Sequence, residues 1–313
     1  MTELNIPGRG GVTRLLLTTA FAALAPLAAH AADEPPAAAA ERPAAQAAAS
    51  AVEGLRARYT ELEPRLKQNP YNRPLVIESI ESDRRVRGSV YAVVNYPFAT
   101  VTKGLNNPRS WCDVFILHIN TKYCHPTAEN GATSLAVYIG KKTPEPLNSA
   151  HRTNFAYQSV SVTSEFMDIR LHAVEGPFGT SNYRVALTAV PLPDNKTFIH
   201  LSYSYAFNFA GKVSMGAYFA TVGSRKIGFS RVPGSDKYIG GMRGLIERNT
   251  MRYYLAIDSF LGSLDAPPAE QLDRRLKSWF AAVEQYPRQL HEMDRPEYIS
   301  MKLEEYKRQQ TAR

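Results

Sequence analysis

The chain has 313 residues, 44% of them hydrophobic, and its 37 Lys and Arg against 29 Asp and Glu give a formal net charge of +8. After the first thirty residues no segment reaches the roughly 18 uncharged apolar residues of a membrane span, which excludes a helical transmembrane domain in the body of the chain. The positive residues are spread along the sequence with acids mixed among them, and only the C-terminal third is dense in them. Such a pattern reads first as a solubilising surface.

The opening segment reads as an address. Arg9 and Arg14 form a basic region, Leu15 to Leu27 an apolar one, and Ala29-His30-Ala31 supplies the small residues of a cleavage site. A Sec signal peptide over residues 1–31, cut after Ala31, is expected, and with it a periplasmic or secreted location. In that compartment net positive charge points to an anionic membrane surface or another envelope polyanion, and not to nucleic acid. Residues 32–51 are dominated by Ala and Pro, with too little apolar bulk for a core, and are read as a disordered linker. About 260 residues remain, enough for one large domain with appendages or two small ones.

Val52, Leu55, Tyr59, Leu62 and Leu66 recur at helical spacing, so residues 52–74 are read as an amphipathic helix ending in the turn Asn69-Pro70-Tyr71-Asn72. Leu75–Ser82 and Val86–Asn95 have strand composition. Pro97 opens a short helix whose face carries Phe98, Val101 and Leu105, and Asn106-Asn107-Pro108 stops it ahead of Trp111. Cys112 and Cys124 are the two cysteines. His118 and His125 lie near them, but Cys-x5-His-x5-Cys-His matches no usual zinc spacing. The oxidising compartment favours a Cys112–Cys124 disulfide, which would restrict the unfolded chain by on the order of 3 kcal/mol.

From Ser134 to Asn208 the apolar period is two. Met167, Ile169 and Leu171 alternate with Asp168, Arg170 and His172; Tyr183, Val185 and Leu187 alternate with Arg184 and Thr188; Ile199, Leu201, Tyr203, Tyr205 and Phe207 alternate with His200, Ser202 and Ser204. Gly176-Pro177-Phe178-Gly179 and Pro193-Asp194-Asn195 read as hairpin turns of an antiparallel meander. A helix is expected over 211–224 and a long one over 241–261, with Met242, Leu245, Ile246, Asn249, Tyr253, Ile257 and Phe260 on one stripe. Ile239-Gly240-Gly241-Met242 allows a tight turn into that helix. Residues 263–313 add a helical extension, whose last helix has few apolar residues and is read as loosely docked.

The order of strand, Pro-started helix, turn with tryptophan, antiparallel strands and late long helix resembles the START-like helix-grip (SRPBCC) superfamily. The local likeness lies in Asn95-Tyr96-Pro97-Phe98, Val101, Leu105, Asn107-Pro108 and Trp111. It implies an α+β domain over residues 75–262: a curved antiparallel sheet wrapped around a long C-terminal helix, with a deep cavity between them. Members bind lipids, sterols, polyketides or hormones, and some are cyclases or hydroxylases. The additional helices at 211–224 and after 261 depart from the pattern.

The tyrosines Tyr91, Tyr157, Tyr203, Tyr205, Tyr253 and Tyr254 suit a cavity for an amphipathic ligand, or else are ordinary strand residues with exposed hydroxyls. We expect Trp111, Tyr157, Tyr203, Tyr205 and Tyr254 to line the cavity, with Arg170 or Arg248 at a polar end. Asp168, Arg170, His172, Arg184 and His200 share one sheet face, read as either solvated or cavity-lining. No G-x-S-x-G, H-E-x-x-H or P-loop is present. No catalytic residue, metal or cofactor is assigned. The leading expectation is periplasmic binding or transport of a hydrophobic or amphipathic small molecule: a lipid, sterol-like compound or polyketide. The alternatives are a cavity enzyme using His172 or His200 as general acid/base, and a non-catalytic envelope interaction protein with a partner docked on the C-terminal helices.

Overall fold

The computed structural model describes residues 36–129, 131–208 and 226–311, together with Gly211 and Gly216. The expected signal peptide, and all of the expected 211–224 helix except two glycines, lie outside these residues. Of residues 1–43 only the first turns of α1, from Pro36, are described; residues 44–313 form one compact body.

Helix α1 spans Pro36–Lys67, so the segment read as a disordered linker is helical from Pro36 onward. Alanine supplies no core, yet it has the highest helix propensity of any residue. The alanine-rich run extends a helix that is anchored further on by Leu55, Leu62 and Leu66, all buried.

Eight antiparallel strands follow in one open sheet of order β1-β2-β8-β7-β6-β5-β4-β3. They are β1 (Leu75–Ser82), β2 (Arg85–Val94), β3 (Thr121–Glu129), β4 (Ala132–Ile139), β5 (His151–Val162), β6 (Met167–Glu175), β7 (Thr180–Leu192) and β8 (Lys196–Phe207). The β7–β8 hairpin turns at Asp194 and Asn195, both at positive φ, as a type I′ turn requires. Between β2 and β3 lie α2 (Phe98–Leu105) and α3 (Pro108–Phe115). Asn107 caps α3 by accepting from the Arg109 N–H at 2.9 Å, and Pro108 takes the first turn. A disulfide joins Cys112 of α3 to Cys124 of β3, with Cα atoms 5.1 Å apart.

The sheet buries both faces over part of its area. The outer face packs Val76, Phe166, Val190 and Phe198 against α1. The inner face belongs to the main core, shared with α2, α3 and the long helix α4 (Gly241–Leu261). This is the α+β helix-grip arrangement that the sequence resemblance implied. Gly241 opens α4 at φ +58°, a conformation that suits glycine. Gly88 of β2 lets the helix touch the sheet: a Cβ there would come 2.3 Å from Thr250 Oγ1 and 3.2 Å from the Ile246 carbonyl.

The stripe expected on α4 is only part of its burial. Glu247, Arg248 and Arg252, which lie off that stripe, are 0–2% exposed. Glu247 and Arg248 are covered by β1 and the loop before α4, and Arg252 by the C-terminal extension: α5 (Pro268–Val283), α6 (Pro287–Leu290) and α7 (Arg295–Thr311). Trp279 of α5 donates to the Arg252 carbonyl at 3.1 Å, and Leu276, Trp279, Tyr298 and Met301 join the main core. Helix α7 is therefore not loosely docked. Lys302 and Glu305 are fully buried, paired at 2.7 Å, and Glu305 also meets Lys122 of β3 at 2.9 Å. Gln309 accepts from the Cys124 N–H at 3.2 Å, so α7 covers the β3 edge of the sheet.

Two outcomes follow. Gly88→Ala should destabilise the protein by about 1–3 kcal/mol, the usual cost of overpacking, seen as a lowered urea midpoint at unchanged m-value. Deleting residues 295–313 should remove the single cooperative unfolding transition and the near-UV circular dichroism of the full chain; a deletion variant with an unchanged urea midpoint would contradict the packing described for α7.

Candidate functional site

The inner face of the sheet and α4 diverge away from Gly88 and leave a cavity of about 350 Å³. That lies near the lower end of the range for small-molecule pockets. The sheet contributes Tyr183 from β7 and Tyr203 and Tyr205 from β8; α4 contributes Leu245, Arg248, Asn249, Arg252 and Tyr253. His118, Asn120 and Thr121 come from the segment between α3 and β3, Ile139 and Lys142 from the end of β4, and Pro177, Phe178 and Thr180 from the β6–β7 turn.

Four of these residues form a contiguous aromatic wall. Tyr183 stacks on Tyr205 with ring centroids 5.2 Å apart, Tyr203 lies 5.8 Å from Tyr205, and Tyr253 meets Tyr203 edge-on at 5.3 Å. The Tyr183 hydroxyl pairs with Thr180 Oγ1 at 2.7 Å. Those of Tyr203, Tyr205 and Tyr253 have no hydrogen-bond partner among the described residues, and none is a sealed unsatisfied atom, so each keeps access to the cavity. Burial pushes the Tyr183 phenol up to about 12 and raises those of Tyr203, Tyr205 and Tyr253 as well. All four therefore stay protonated near neutral pH, as donors and acceptors.

The rest of the lining includes polar and cationic groups. His118 is 4% exposed and stacks on Tyr253 at 4.7 Å. Its Nδ1 accepts from the Asn120 N–H at 3.2 Å. Burial, then the nearby charges of Arg252 and Lys302, hold its pKa well below 6.5. The ring is thus neutral, and with Nδ1 accepting, the proton sits on Nε2. Asn249 is the polar side chain beside it and the one influence favouring protonation, yet Nε2 makes no hydrogen bond of normal geometry. Lys142 pairs with Glu292 at 2.6 Å, and burial brings its pKa down to about 8. Arg252 and Lys226 reach the same carboxylate at 2.9 and 3.0 Å. Burial opposes ionisation of Glu292, but Arg252, Lys142 and Lys226 outweigh it and hold its pKa below the ordinary value.

Of the residues expected from sequence, Tyr203, Tyr205 and Arg248 line the cavity, Arg248 donating to the Ile227 carbonyl at 3.1 Å. Four do not. Trp111 is wholly buried in the core, and its indole N–H donates to the Leu105 carbonyl at 2.9 Å, joining α3 to the end of α2. Tyr157 is half-buried, its hydroxyl 3.4 Å from Asn106 Oδ1. Tyr254 sits one position round α4 from Tyr253, among Arg73, Asp258 and Tyr286. Arg170 lies on the outer sheet face, paired with Asp168 at 2.7 Å.

His172 and His200 are also on that outer face, which removes the cavity enzyme built on either. His172 pairs with Asn182 Oδ1 at 3.0 Å, and His200 stacks on Tyr91 at 4.2 Å. Sequence reading missed Tyr183 and His118 as lining residues, and placed Tyr253 on the apolar stripe without assigning it. Tyr183 shares the alternation of Val185 and Leu187, so its face was legible. His118 belongs to no periodic pattern. Among the described residues no cluster of three potential ligands could hold a metal ion.

No protein-family model and no curated protein sequence matches the chain. Solved structures similar to it include norcoclaurine synthase from Thalictrum flavum with dopamine and hydroxybenzaldehyde (12% identity, 62% of this chain and 91% of that one, TM-score 0.36). The Zhui aromatase/cyclase from Streptomyces sp. R1128 is similar at 11% identity over 66% of this chain and 96% of that one, TM-score 0.31. Human StAR-related lipid transfer protein 5 is similar at 11% identity over 77% and 98%, TM-score 0.30. Likeness at this level assigns no activity.

One pH dependence follows from the histidines. Burial, then Arg87 and Arg58, lower the His200 pKa from 6.5 to about 4, and His118 is lowered too. In the unfolded chain both take up protons near pH 6.5, whereas the native protein does not until far lower pH. The unfolded state then binds more protons, so stability falls as pH drops from about 6.5 towards 4. The urea midpoint should be lower at pH 5 than at pH 7, with a smaller difference in His200→Gln.

Proposed function

We propose that the protein is an exported binding or transport protein for a hydrophobic or amphipathic small molecule, held between the inner sheet face and α4. The observation that carries this reading is the tyrosine wall. Three phenols, Tyr203 and Tyr205 buried and Tyr253 partly buried, have no hydrogen-bond partner among the described residues and line an unfilled volume. A core filled by its own side chains would favour aliphatic residues, because a buried hydroxyl without a partner is costly. A ligand with an apolar body and a few polar groups would satisfy both parts of the wall. Covered apolar area would contribute about 25 cal/mol per Å², less the cost of ordering the ligand.

The size of the cavity suits one ring system or one chain of a lipid, sterol-like or polyketide compound better than a two-tailed lipid. Export rests on the leader-like sequence of residues 1–31 and fits the Cys112–Cys124 disulfide. The net charge of +8 suits exchange of the ligand at an anionic membrane surface.

Native mass spectrometry of the purified mature protein should show one apolar molecule carried, or taken up from a lipid extract. Leu245→Trp, which fills the cavity from α4, should weaken that uptake at least tenfold with little change in thermal midpoint. Undiminished uptake by a folded Leu245→Trp protein would place the ligand elsewhere.

A further inference from the structure

We propose that the outer face of the sheet is a docking surface for an anionic membrane, with lipid headgroups meeting a groove banked by Arg85 and Arg87 on one side and by Arg170 and Arg184 on the other. The inference rests on the proposed function for what the contact serves, exchange of the carried molecule, and not for the contact itself.

The first observation is where the arginines stand. Arg87 pairs in register with Ser204, Ser204 with Arg184, and Arg184 with His172, across β2, β8, β7 and β6. Arg85 and Arg170 lie two residues along their strands from Arg87 and His172, on the same face. Arg87 and Arg184 are thus two strand spacings apart, about 10 Å. Between them β8 offers only the small side chains of Ser202 and Ser204, and this low floor leaves a groove of about 600 Å³. Helix α1 packs on the outer face around Val76, Val190 and Phe198, further along the strands, and all four arginines are exposed.

The second observation is a lack of compensation. No Asp or Glu lines the groove among the described residues. Arg170 pairs with Asp168, and Arg184 donates to Asn182 Oδ1 at 3.2 Å. Arg85 and Arg87 have neither an ion pair nor a side-chain hydrogen bond among the described residues. The neighbouring acid on β1, Glu78, is taken up by Arg58 and Arg65 of α1. Like charges held side by side repel one another, and an anionic partner relieves that repulsion.

The third observation favours a membrane over a soluble anion. The array is wider than one phosphate can bridge, whereas adjacent headgroups meet both banks at once. Ile80 lines the same groove at 59% exposure, and Val174 follows His172 on the same face at 69% exposure. Exposed aliphatic side chains among arginines suit the boundary between headgroups and acyl chains, where the apolar area is covered and the guanidinium groups meet phosphate. A soluble anion would leave the aliphatic groups in water.

The test is co-sedimentation of the purified mature protein with vesicles of phosphatidylcholine alone and of phosphatidylcholine with phosphatidylglycerol at two to one. The anionic vesicles should bind at least tenfold more tightly, and added salt should weaken that binding. Arg85→Ser/Arg87→Ser should lose at least tenfold at an unchanged urea midpoint. Arg231→Ser/Arg274→Ser, which removes the same charge from exposed positions elsewhere, should bind as the parent does. Equal binding of the two vesicles, or an equal loss in both double variants, overturns the docking surface. So does binding of pyrophosphate that is lost in Arg85→Ser/Arg87→Ser while neither vesicle binds, which would make the groove a site for a soluble anion. Uptake of the apolar ligand, read by native mass spectrometry, should be undiminished in Arg85→Ser/Arg87→Ser. Failure at the vesicles therefore leaves the cavity reading standing, and failure of uptake by the parent protein leaves the docking surface standing.

Discussion

The structure depends on how α4 meets the inner face of the sheet. Gly88 and Tyr203 are paired neighbours on β2 and β8. Over Gly88 the helix comes down to contact, with Ile246 and Thr250 filling the place of the missing side chain. Beside it Tyr203 meets Tyr253 edge-on. The smallest residue and a large one thus stand side by side beneath one rigid rod. The rod is held close on one side and propped away on the other, and the propped side is where the cavity opens. A well-packed interior does not tolerate voids for nothing. Here the void is a consequence of side-chain size at two adjacent register positions, fixed by rigid elements on both sides.

Holding the helix in that position takes buried polar contacts. Glu247 is wholly buried and accepts from the Phe229 and Ser230 N–H groups at 2.6 and 2.9 Å and from Ser79 Oγ at 2.6 Å. It ties β1 and the loop before α4 to the helix. Lys302 donates to the His118 and Thr121 carbonyls at 2.7 and 2.9 Å as well as to Glu305. Breaking one member of such a set leaves an uncompensated charge inside, so these contacts specify one arrangement even where their net contribution to stability is small.

How much of this was legible in the sequence follows from how each part signals. The alternation in β6, β7 and β8 is strict because the sheet has one core face, and the inward set Tyr183, Tyr203 and Tyr205 could be read directly. Strand β5 was not recognised as an element: His151, Arg152, Asn154 and Gln158 crowd its sequence, and only Thr153 and Phe155 are buried. Tyr254 was preferred over Tyr253 although they point about 100° apart on a helix, and nothing in a fully enclosed helix marks which side faces a void. Arg170, His172 and His200 were correctly placed on one face, but the sequence leaves open which face that is. The C-terminal helices were undervalued for the same reason. Lys302, Glu305 and Gln309 look like a solvated stripe, and only their partners on β3 and the loop before it, far earlier in the chain, reveal them as interior.

Those partners also explain why the C-terminal extension bears on the site and not merely on stability. The segment that presents His118 is short and irregular, and a segment of that kind is normally mobile. Here it is held from every side. Upstream and downstream it is closed by the Cys112–Cys124 disulfide. Along its length the Leu117 carbonyl accepts from Tyr298 at 2.9 Å, and the His118 and Thr121 carbonyls accept from Lys302. Glu292, which gathers Lys142, Arg252 and Lys226, lies between α6 and α7. A sheet and one long helix suffice to enclose an apolar volume. Giving it defined polar groups takes a backing layer that fixes the imidazole and positions the charges. Helices α5–α7 supply that layer, so the part of the chain that departs most from the helix-grip pattern is the part that shapes what the cavity can recognise.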